Sequence, residues 1–137
     1  MKLRALIIED NDQNMYMLSF LLEMNNYEVM QAFNGLDGIK AAKENSPDVI
    51  LLDIQLPGMD GYQIAREIRS RNDLRHIPIV AVTSHAMVGD REKAMASGAT
   101  GYIEKPVDPD NFIQSMESYF PEELLQRRKN HEKGPDC

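Results

Sequence analysis

Three acidic side chains stand directly after apolar segments of this chain. Glu9 and Asp10 follow the apolar run 5–8, and Asp53 follows the run 49–52. If both runs are strands of one parallel sheet, their carboxyl ends meet at the same edge, which is where open α/β sheets bind ligands. We therefore expect the three carboxylates to lie close together.

A hydroxyl group and an ammonium group follow the later apolar runs. Thr83 comes after residues 79–82, and Lys105 comes after residues 101–103 and before Pro106. Carboxylates that crowd together repel, which raises at least one pKa unless cations compensate. A lysine and Mg²⁺ would both do so, and Mg²⁺ prefers oxygen ligands and often links carboxylates to a phosphate. The set indicates a magnesium-dependent site that accepts a phosphoryl group.

Most of these residues also have an ordinary structural explanation. Asp10 and Thr83 could cap the helices that follow them, and Lys105 could be a surface lysine. Capping explains Asp53 poorly, because a turn-forming run, residues 54–61, follows it instead of a helix start. The functional interpretation therefore depends on the whole set.

Five apolar runs alternate with longer segments of helical spacing, which predicts five strand-helix units. The strongest runs lack polar alternation, as expected of parallel strands that are covered on both faces. A three-layer α/β sandwich follows. The runs are 5–8, 49–52 and 79–82, with weaker ones at 27–32 and 101–103.

Capping residues predict where the helices begin and end. Asn11 or Asp12 caps the first helix, and residues 25–26 end it. The third helix, residues 60–71, has one apolar stripe, which predicts the face that it buries. That stripe consists of Ile64, Ala65 and Ile68.

The last two helices of the predicted fold have weaker signals. The fourth, residues 86–97, is interrupted by Gly89 and ends at Gly98, and we predict that it is the mobile element. The fifth is predicted to start with Asp108 as its cap and Pro109 at its first position.

Composition indicates one domain and excludes several classes of function. The chain has 137 residues, of which 42% are hydrophobic, and we assign residues 1–120 to one domain. Residues 121–137 are predicted to form a charged tail that is either a frayed helix or disordered. Its only cysteine, Cys137, makes no internal disulfide, and we expect a cytoplasmic protein with no membrane insertion. A net charge of −7 disfavours binding to nucleic acid.

The chain resembles a response-regulator receiver domain of two-component signalling over about residues 3–120, and among these the stand-alone regulators of the bacterial cell-division type. The resemblance implies an α/β fold with a doubly wound, five-stranded parallel sheet, flavodoxin-like, in the order 2-1-3-4-5. It is carried by Glu9 and Asp10 and by the segments 51–61, 82–84 and 98–106.

The resemblance assigns roles around the acidic cluster. Asp53 would be the phosphoryl acceptor. Mg²⁺ would be bound by Asp10, Asp53 and the backbone carbonyl of Gln55, with Glu9 acting mostly through water. Lys105 would contact a phosphoryl oxygen, and its peptide bond to the following proline would be cis.

The resemblance also implies a switch. Thr83 would hydrogen-bond the phosphoryl group, and Tyr102 would rotate inward as Thr83 moves. The change would reach a downstream protein target through the face formed by the fourth helix, the fifth strand and the fifth helix. The chain would catalyse only its own phosphorylation and dephosphorylation, so we do not classify it as an enzyme.

The first helix has more apolar side chains than one buried stripe can use. Met17, Phe20 and Met24 are left over at positions i, i+3 and i+7, with Tyr16 beside them. Since this helix begins beside Asp53, we predict that it docks a histidine kinase or a histidine phosphotransfer protein. Alternatively, these side chains are covered by the fifth helix or scattered on the surface.

The sequence leaves four other interpretations. A haloacid-dehalogenase-type phosphatase needs a second acid where Gln55 stands, and a flavodoxin-like cofactor binder needs a phosphate loop where an acidic run, residues 9–12, would repel phosphate. An excised receiver of a hybrid histidine kinase or a receiver-like scaffold that is never phosphorylated would have nearly the same sequence.

Overall fold

Five parallel strands form one sheet in the order β2-β1-β3-β4-β5, as the family resemblance implies. The structure is a computed structural model that describes residues 2–84 and 88–133, the side chains of 131–133 excepted. The strands are β1 (Leu3–Ile8), β2 (Tyr27–Ala32), β3 (Val49–Asp53), β4 (Ile79–Thr83) and β5 (Gly101–Glu104). The helices are α1 (Asp12–Met24), α2 (Gly35–Asn45), α3 (Gly61–Arg69), α4 (Asp90–Ser97), α5 (Phe112–Glu117) and α6 (Glu122–Lys133).

Alternate residues of each strand face opposite helical layers, which makes two apolar cores. One face of the sheet packs against α1 and α5, and the other packs against α2 and α3, so the predicted three-layer sandwich is confirmed. The first core includes Ala5, Ile7, Met15, Leu18, Leu22, Phe112 and Met116. The second includes Leu6, Ile8, Ile39, Ala42 and the predicted stripe of Ile64, Ala65 and Ile68.

The caps predicted for α1 are present, and α3 has a cap that was not predicted. Asn11 caps α1 by accepting a hydrogen bond from the N–H of Asn14, and the helix ends at Asn25. Asp60 caps α3 in a reciprocal pair with Gln63, in which each side chain accepts from the other's backbone N–H. These caps fix where each helix leaves the edge of the sheet that carries the acidic cluster.

Helix α4 starts later than predicted. It begins at Asp90, and Gly89 stands before it with a φ of 93°, so this glycine precedes the helix and does not interrupt it. A left-handed backbone conformation favours glycine, which explains why a glycine stands at this position, and it is not helical, so α4 begins only after it. The predicted start at residue 86 falls in residues 85–87, outside the described part of the chain.

The far end of α4 is held by Arg69. Its Nε donates to the carbonyl of Gly98 at 2.8 Å, and Nη2 donates to Oγ1 of Thr100 at 3.1 Å. Its Nη1 donates to the carbonyls of Leu74 and Arg75. Gly98 has a φ of 118°, and a Cβ there would lie 2.5 Å from Cγ of Arg69, so glycine is required.

Helix α5 also differs from the prediction. It begins at Phe112, after a turn in which the Asp108 carboxylate accepts a hydrogen bond from the N–H of Asp110. The side chain of Asp108 therefore closes a turn and does not cap the helix. The Asp108 carbonyl accepts from the N–H groups of Asn111 and Phe112 and leads the chain into α5.

The segment after Phe120 was predicted to be a frayed helix or a disordered tail. The structure has a helix there, α6, that packs on the first core through Leu124. Within residues 2–84 and 88–133, no helix combines the length and the apolarity that crossing a bilayer requires.

Replacing Gly61 with alanine should destabilise the protein. A Cβ at Gly61 would lie 2.5 Å from Cα of Ile54 and 2.8 Å from the carbonyl oxygen of Asp53, so the end of β3 would have to shift. We expect urea denaturation to show a loss of about 1–3 kcal/mol, as in other overpacked cores. Gly58→Ala is the control, because Gly58 has open space around it and a φ of 83°. It should cost only about 1 kcal/mol, and a larger loss there than at Gly61 would contradict the steric explanation.

Candidate functional site

The ends of β1 and β3 bring the three predicted carboxylates together. Because Ile8 pairs with Leu52 in neighbouring parallel strands, the residues that follow each of them meet at one edge. One carboxylate oxygen from each of Glu9, Asp10 and Asp53 lies within 4.8 Å of the others. Glu9 and Asp53 are buried, whereas Asp10 is exposed, so the cluster opens to solvent on one side only.

Lys105 reaches this cluster from the end of β5. Its Nζ lies 2.7 Å from Oε1 of Glu9 and 3.7 Å from Oδ2 of Asp53. The side chain crosses over β4, and the Lys105 N–H donates to the carbonyl of Thr83 at 2.7 Å. The peptide bond between Lys105 and Pro106 is cis, as the resemblance implied. The ammonium group is thus paired first with Glu9 and lies near Asp53.

Burial and crowding change the acidity of Glu9. Burial raises the pKa of Glu9 above its ordinary value, and the neighbouring Asp53 raises it further, while hydrogen bonds from Lys105 and from the N–H of Asn11 act in the opposite direction. Burial is the largest of these effects, so the pKa stays raised in spite of Lys105. A second positive charge would stabilise the ionised carboxylate.

The loop after β3 orients the carboxylate of Asp53. The N–H of Gln55 donates to Oδ1 of Asp53 at 3.0 Å, and this leaves Oδ2 as the oxygen nearer Lys105. The Gln55 side chain accepts a hydrogen bond from Oγ of Ser84 at 2.8 Å, which joins this loop to the end of β4. Neither contact was predicted from the sequence, although an aspartate that accepts a hydrogen bond from the N–H two residues later forms a common turn.

The two predicted switch residues lie on neighbouring strands. Thr83 ends β4 beside the cluster and is buried. Tyr102 is only 8% exposed and packs with Ile54, Ala81 and Ala94, so it already lies inward in this structure. Burial raises the pKa of Tyr102, and nearby acidic groups add to the effect. Among the described residues its hydroxyl has no hydrogen-bond partner, and a rearrangement that supplied one would be favourable.

The donor set fits magnesium. The cluster supplies carboxylate oxygens, which are the ligands that Mg²⁺ prefers. It also has an exposed side at Asp10, where water or a phosphate oxygen could complete an octahedral shell.

The predicted docking residues of α1 are not equally exposed. Phe20 and Met24 are exposed, but Met17 is half-buried against the first core, which changes the expected stripe. Tyr16 is exposed and stacks on Phe20, with ring centroids 6.4 Å apart. The apolar surface of α1 therefore consists of Tyr16, Phe20 and Met24, at positions i, i+4 and i+8.

Comparisons with known proteins agree with this geometry. Residues 5–117 match the family described as the response regulator receiver domain. The polar-differentiation response regulator DivK of Brucella anthropi is 40% identical over 116 residues, which cover 85% of this chain and 94% of the relative.

Solved structures of similar fold include other receiver domains. A putative response regulator from Chloroflexus aurantiacus superposes with a TM-score of 0.83 at 27% identity, covering 87% of this chain and 98% of that one. The receiver domain of a sensor histidine kinase from Pseudomonas aeruginosa superposes with a TM-score of 0.80 at 31% identity, over the same shares of the two chains. That protein has a magnesium ion coordinated in its active-site cleft. The chain described here belongs to the response regulator receiver domain family of two-component signalling.

Proposed function

We propose that the protein is a phosphorylation switch that accepts a phosphoryl group on Asp53 from the phosphohistidine of a histidine kinase or a histidine phosphotransfer protein. The observation that carries the proposal is the environment of the Asp53 carboxylate. One oxygen is held by the N–H of Gln55, and the other lies 3.7 Å from the Lys105 ammonium. A cytoplasmic location stays a prediction.

The residues of the cluster have different roles in phosphoryl transfer. An oxygen of Asp53 forms the new bond to phosphorus as the bond to the histidine nitrogen breaks, and that nitrogen keeps the electron pair. Lys105 stabilises an equatorial oxygen of the transferred group. Glu9, Asp10, Asp53 and the Gln55 carbonyl would hold Mg²⁺, which neutralises phosphoryl charge when bound. Attack by water on phosphorus then breaks its bond to the Asp53 oxygen, which releases inorganic phosphate and restores the carboxylate.

The phosphorylated state would change the protein surface beyond Asp53. A phosphoryl group adds about −1.5 to −2 charges and strong hydrogen-bond acceptors. Thr83 ends the neighbouring strand and can turn toward these acceptors, while Tyr102 lies behind it against Ala94 of α4. We propose that this coupling alters the face of α4, β5 and α5 that a downstream protein recognises.

A receiver attached to a histidine kinase is the second candidate. The similarity to a kinase receiver supports it, whereas the higher identity to a DivK regulator, almost over that protein's full length, favours the stand-alone type. Both candidates require phosphorylation of Asp53, and incubation with acetyl phosphate and Mg²⁺ followed by intact mass measurement tests it. A receiver-like scaffold would gain no mass.

Changing Phe20 to glutamate should slow phosphotransfer from a protein donor by about tenfold or more, because a charge would enter the apolar stripe of α1. Labelling by acetyl phosphate should stay unchanged, since Phe20 lies in the second half of α1, away from the end that follows Glu9 and Asp10. Leu36→Glu is the matched control, because Leu36 is an equally apolar exposed residue on α2, on the opposite face of the sheet. Equal slowing by both variants, or loss of acetyl phosphate labelling with Phe20→Glu, would reject α1 as the docking helix.

A further inference from the structure

Helix α6 crosses the edge of the sheet opposite the acidic cluster. Its residues contact the first residue of β2 and the residue before β3, which are the amino-terminal ends of these strands. Leu124 joins the first core, and one turn later Arg128 is only 5% exposed. A nearly buried arginine is uncommon and needs a specific explanation.

Arg128 is held by three groups at once. Its Nε donates to Oε2 of Glu117 at 2.8 Å, and its Nη2 donates to the carbonyl of Asn25. The guanidinium also lies 4.6 Å from the centre of the Tyr27 ring, whose hydroxyl donates to the same Glu117 oxygen at 2.6 Å. Burial, reinforced by Glu117, raises the pKa of Tyr27, so its hydroxyl stays a donor in this network.

The partners of Arg128 are the ends of two helices. Asn25 is the C-cap of α1, and Glu117 is the last residue of α5. Neither helix has a basic residue in its own last turn, where a positive charge is stabilising. Glu117 at a helix carboxyl end is unfavourable by itself, so α5 depends on a cation from elsewhere. One guanidinium from α6 supplies that charge to both helices.

We propose that Arg128 is a positioning residue that fixes the carboxyl-terminal half of α1 against α5, and so presents Phe20 and Met24 to the phosphodonor. This inference rests on the proposed function, because it assigns a role to the docking helix. Arg128 contacts the opposite end of the sheet from Asp53, so it should not affect the chemistry of phosphorylation.

The neighbouring arginine provides a matched control. Arg127 is exposed, and its Nη1 lies 2.9 Å from Oδ1 of Asp48 at the sheet edge. It touches neither α1 nor α5 among the contacts described for it. Arg127→Gln and Arg128→Gln remove the same charge from adjacent positions of one helix, and they differ in whether the buried network is lost.

Amide hydrogen exchange tests the positioning role without a partner. In Arg128→Gln, exchange in the last turns of α1 and α5 should rise together by about tenfold or more, because charge-assisted hydrogen bonds at both ends are lost. Exchange in β3 should not change, and Arg127→Gln should resemble the wild type. A uniform rise over the whole chain, or no rise at α1, would overturn the proposal. If Arg128→Gln does not fold, Arg128→Lys, which keeps the charge, should show the same local pattern more weakly.

Phosphotransfer kinetics test the functional part. The donor is a phosphorylated histidine kinase core selected because it labels the wild-type protein. Arg128→Gln should raise KM for this donor by about fivefold and leave kcat and acetyl phosphate labelling unchanged, with partial recovery in Arg128→Lys. An unchanged KM would overturn the inference. Failure of acetyl phosphate to label even the wild type would reject the proposed function instead, and the exchange experiment would still decide whether Arg128 joins α1 to α5.

Discussion

Replacing Asp53 with asparagine should abolish the added mass of one phosphoryl group that acetyl phosphate and Mg²⁺ produce in the wild-type protein. Asparagine keeps the shape of the side chain and can still accept the hydrogen bond that the N–H of Gln55 gives to Asp53. It lacks the carboxylate oxygen that must attack phosphorus. The expected loss is therefore complete, and intact mass measurement at several times of incubation would record it.

A second aspartate controls for the general effect of this change. Asp60 caps α3 close in sequence to Asp53, but it is exposed and is not part of the carboxylate cluster. Since asparagine caps helices as well as aspartate does, Asp60→Asn should fold normally and accept the phosphoryl group at the wild-type rate. Labelling that persisted in Asp53→Asn would place the modified residue elsewhere and reject the proposed acceptor.

Replacing Lys105 with methionine should slow labelling by acetyl phosphate by about a hundredfold, because a positioned cation would be lost from the transition state. Stability should also fall, since Lys105 is paired with two buried carboxylates. We expect about 2 kcal/mol by urea denaturation, less than the about 3–5 kcal/mol typical of fully buried pairs, because water reaches the cluster at Asp10.

The pH dependence of Lys105→Met follows from Glu9. Lysine lowers the pKa of Glu9, so its removal should raise that already elevated pKa further. A group whose pKa is higher in the folded than in the unfolded state stabilises the fold at low pH. That stabilisation is lost as the pH rises through the folded-state pKa. The stability difference from the wild type should therefore shrink on acidification, and Mg²⁺ should restore part of it near neutral pH. Lys40→Met, at an exposed position of α2, should show neither effect. A pH-independent difference would contradict the role of Glu9.

The sheet and the acidic cluster could be predicted from the sequence for a simple reason. Parallel strands that are buried on both faces are continuous apolar runs, and polar residues directly after them must gather at one edge. Glu9, Asp10, Asp53 and Lys105 are such residues, and the structure brings them together. The order of the strands came from the family resemblance and not from this pattern.

Other features depend on contacts that local pattern does not encode. Asp108 can cap a helix or close a turn with the same side chain, and only the structure distinguishes the two uses. The packing of α6 was not predicted, because it depends partly on an arginine whose partners lie about 100 residues earlier and at the end of α5. The half-burial of Met17 likewise depends on how α1 rotates against the sheet.

The hydrogen bonds of Arg69 hold the carboxyl end of α4. Arg69 donates to the carbonyl of Gly98, which ends α4, and to Thr100, while the residue before α4 is a glycine that has no side chain to cap the helix. A helix of eight residues is about 12 Å long, so a tilt of about 10° around this carboxyl end would displace the amino end by about 2 Å. If phosphorylation of Asp53 tilts α4, the largest displacement would therefore fall at Asp90, at the amino end of the helix.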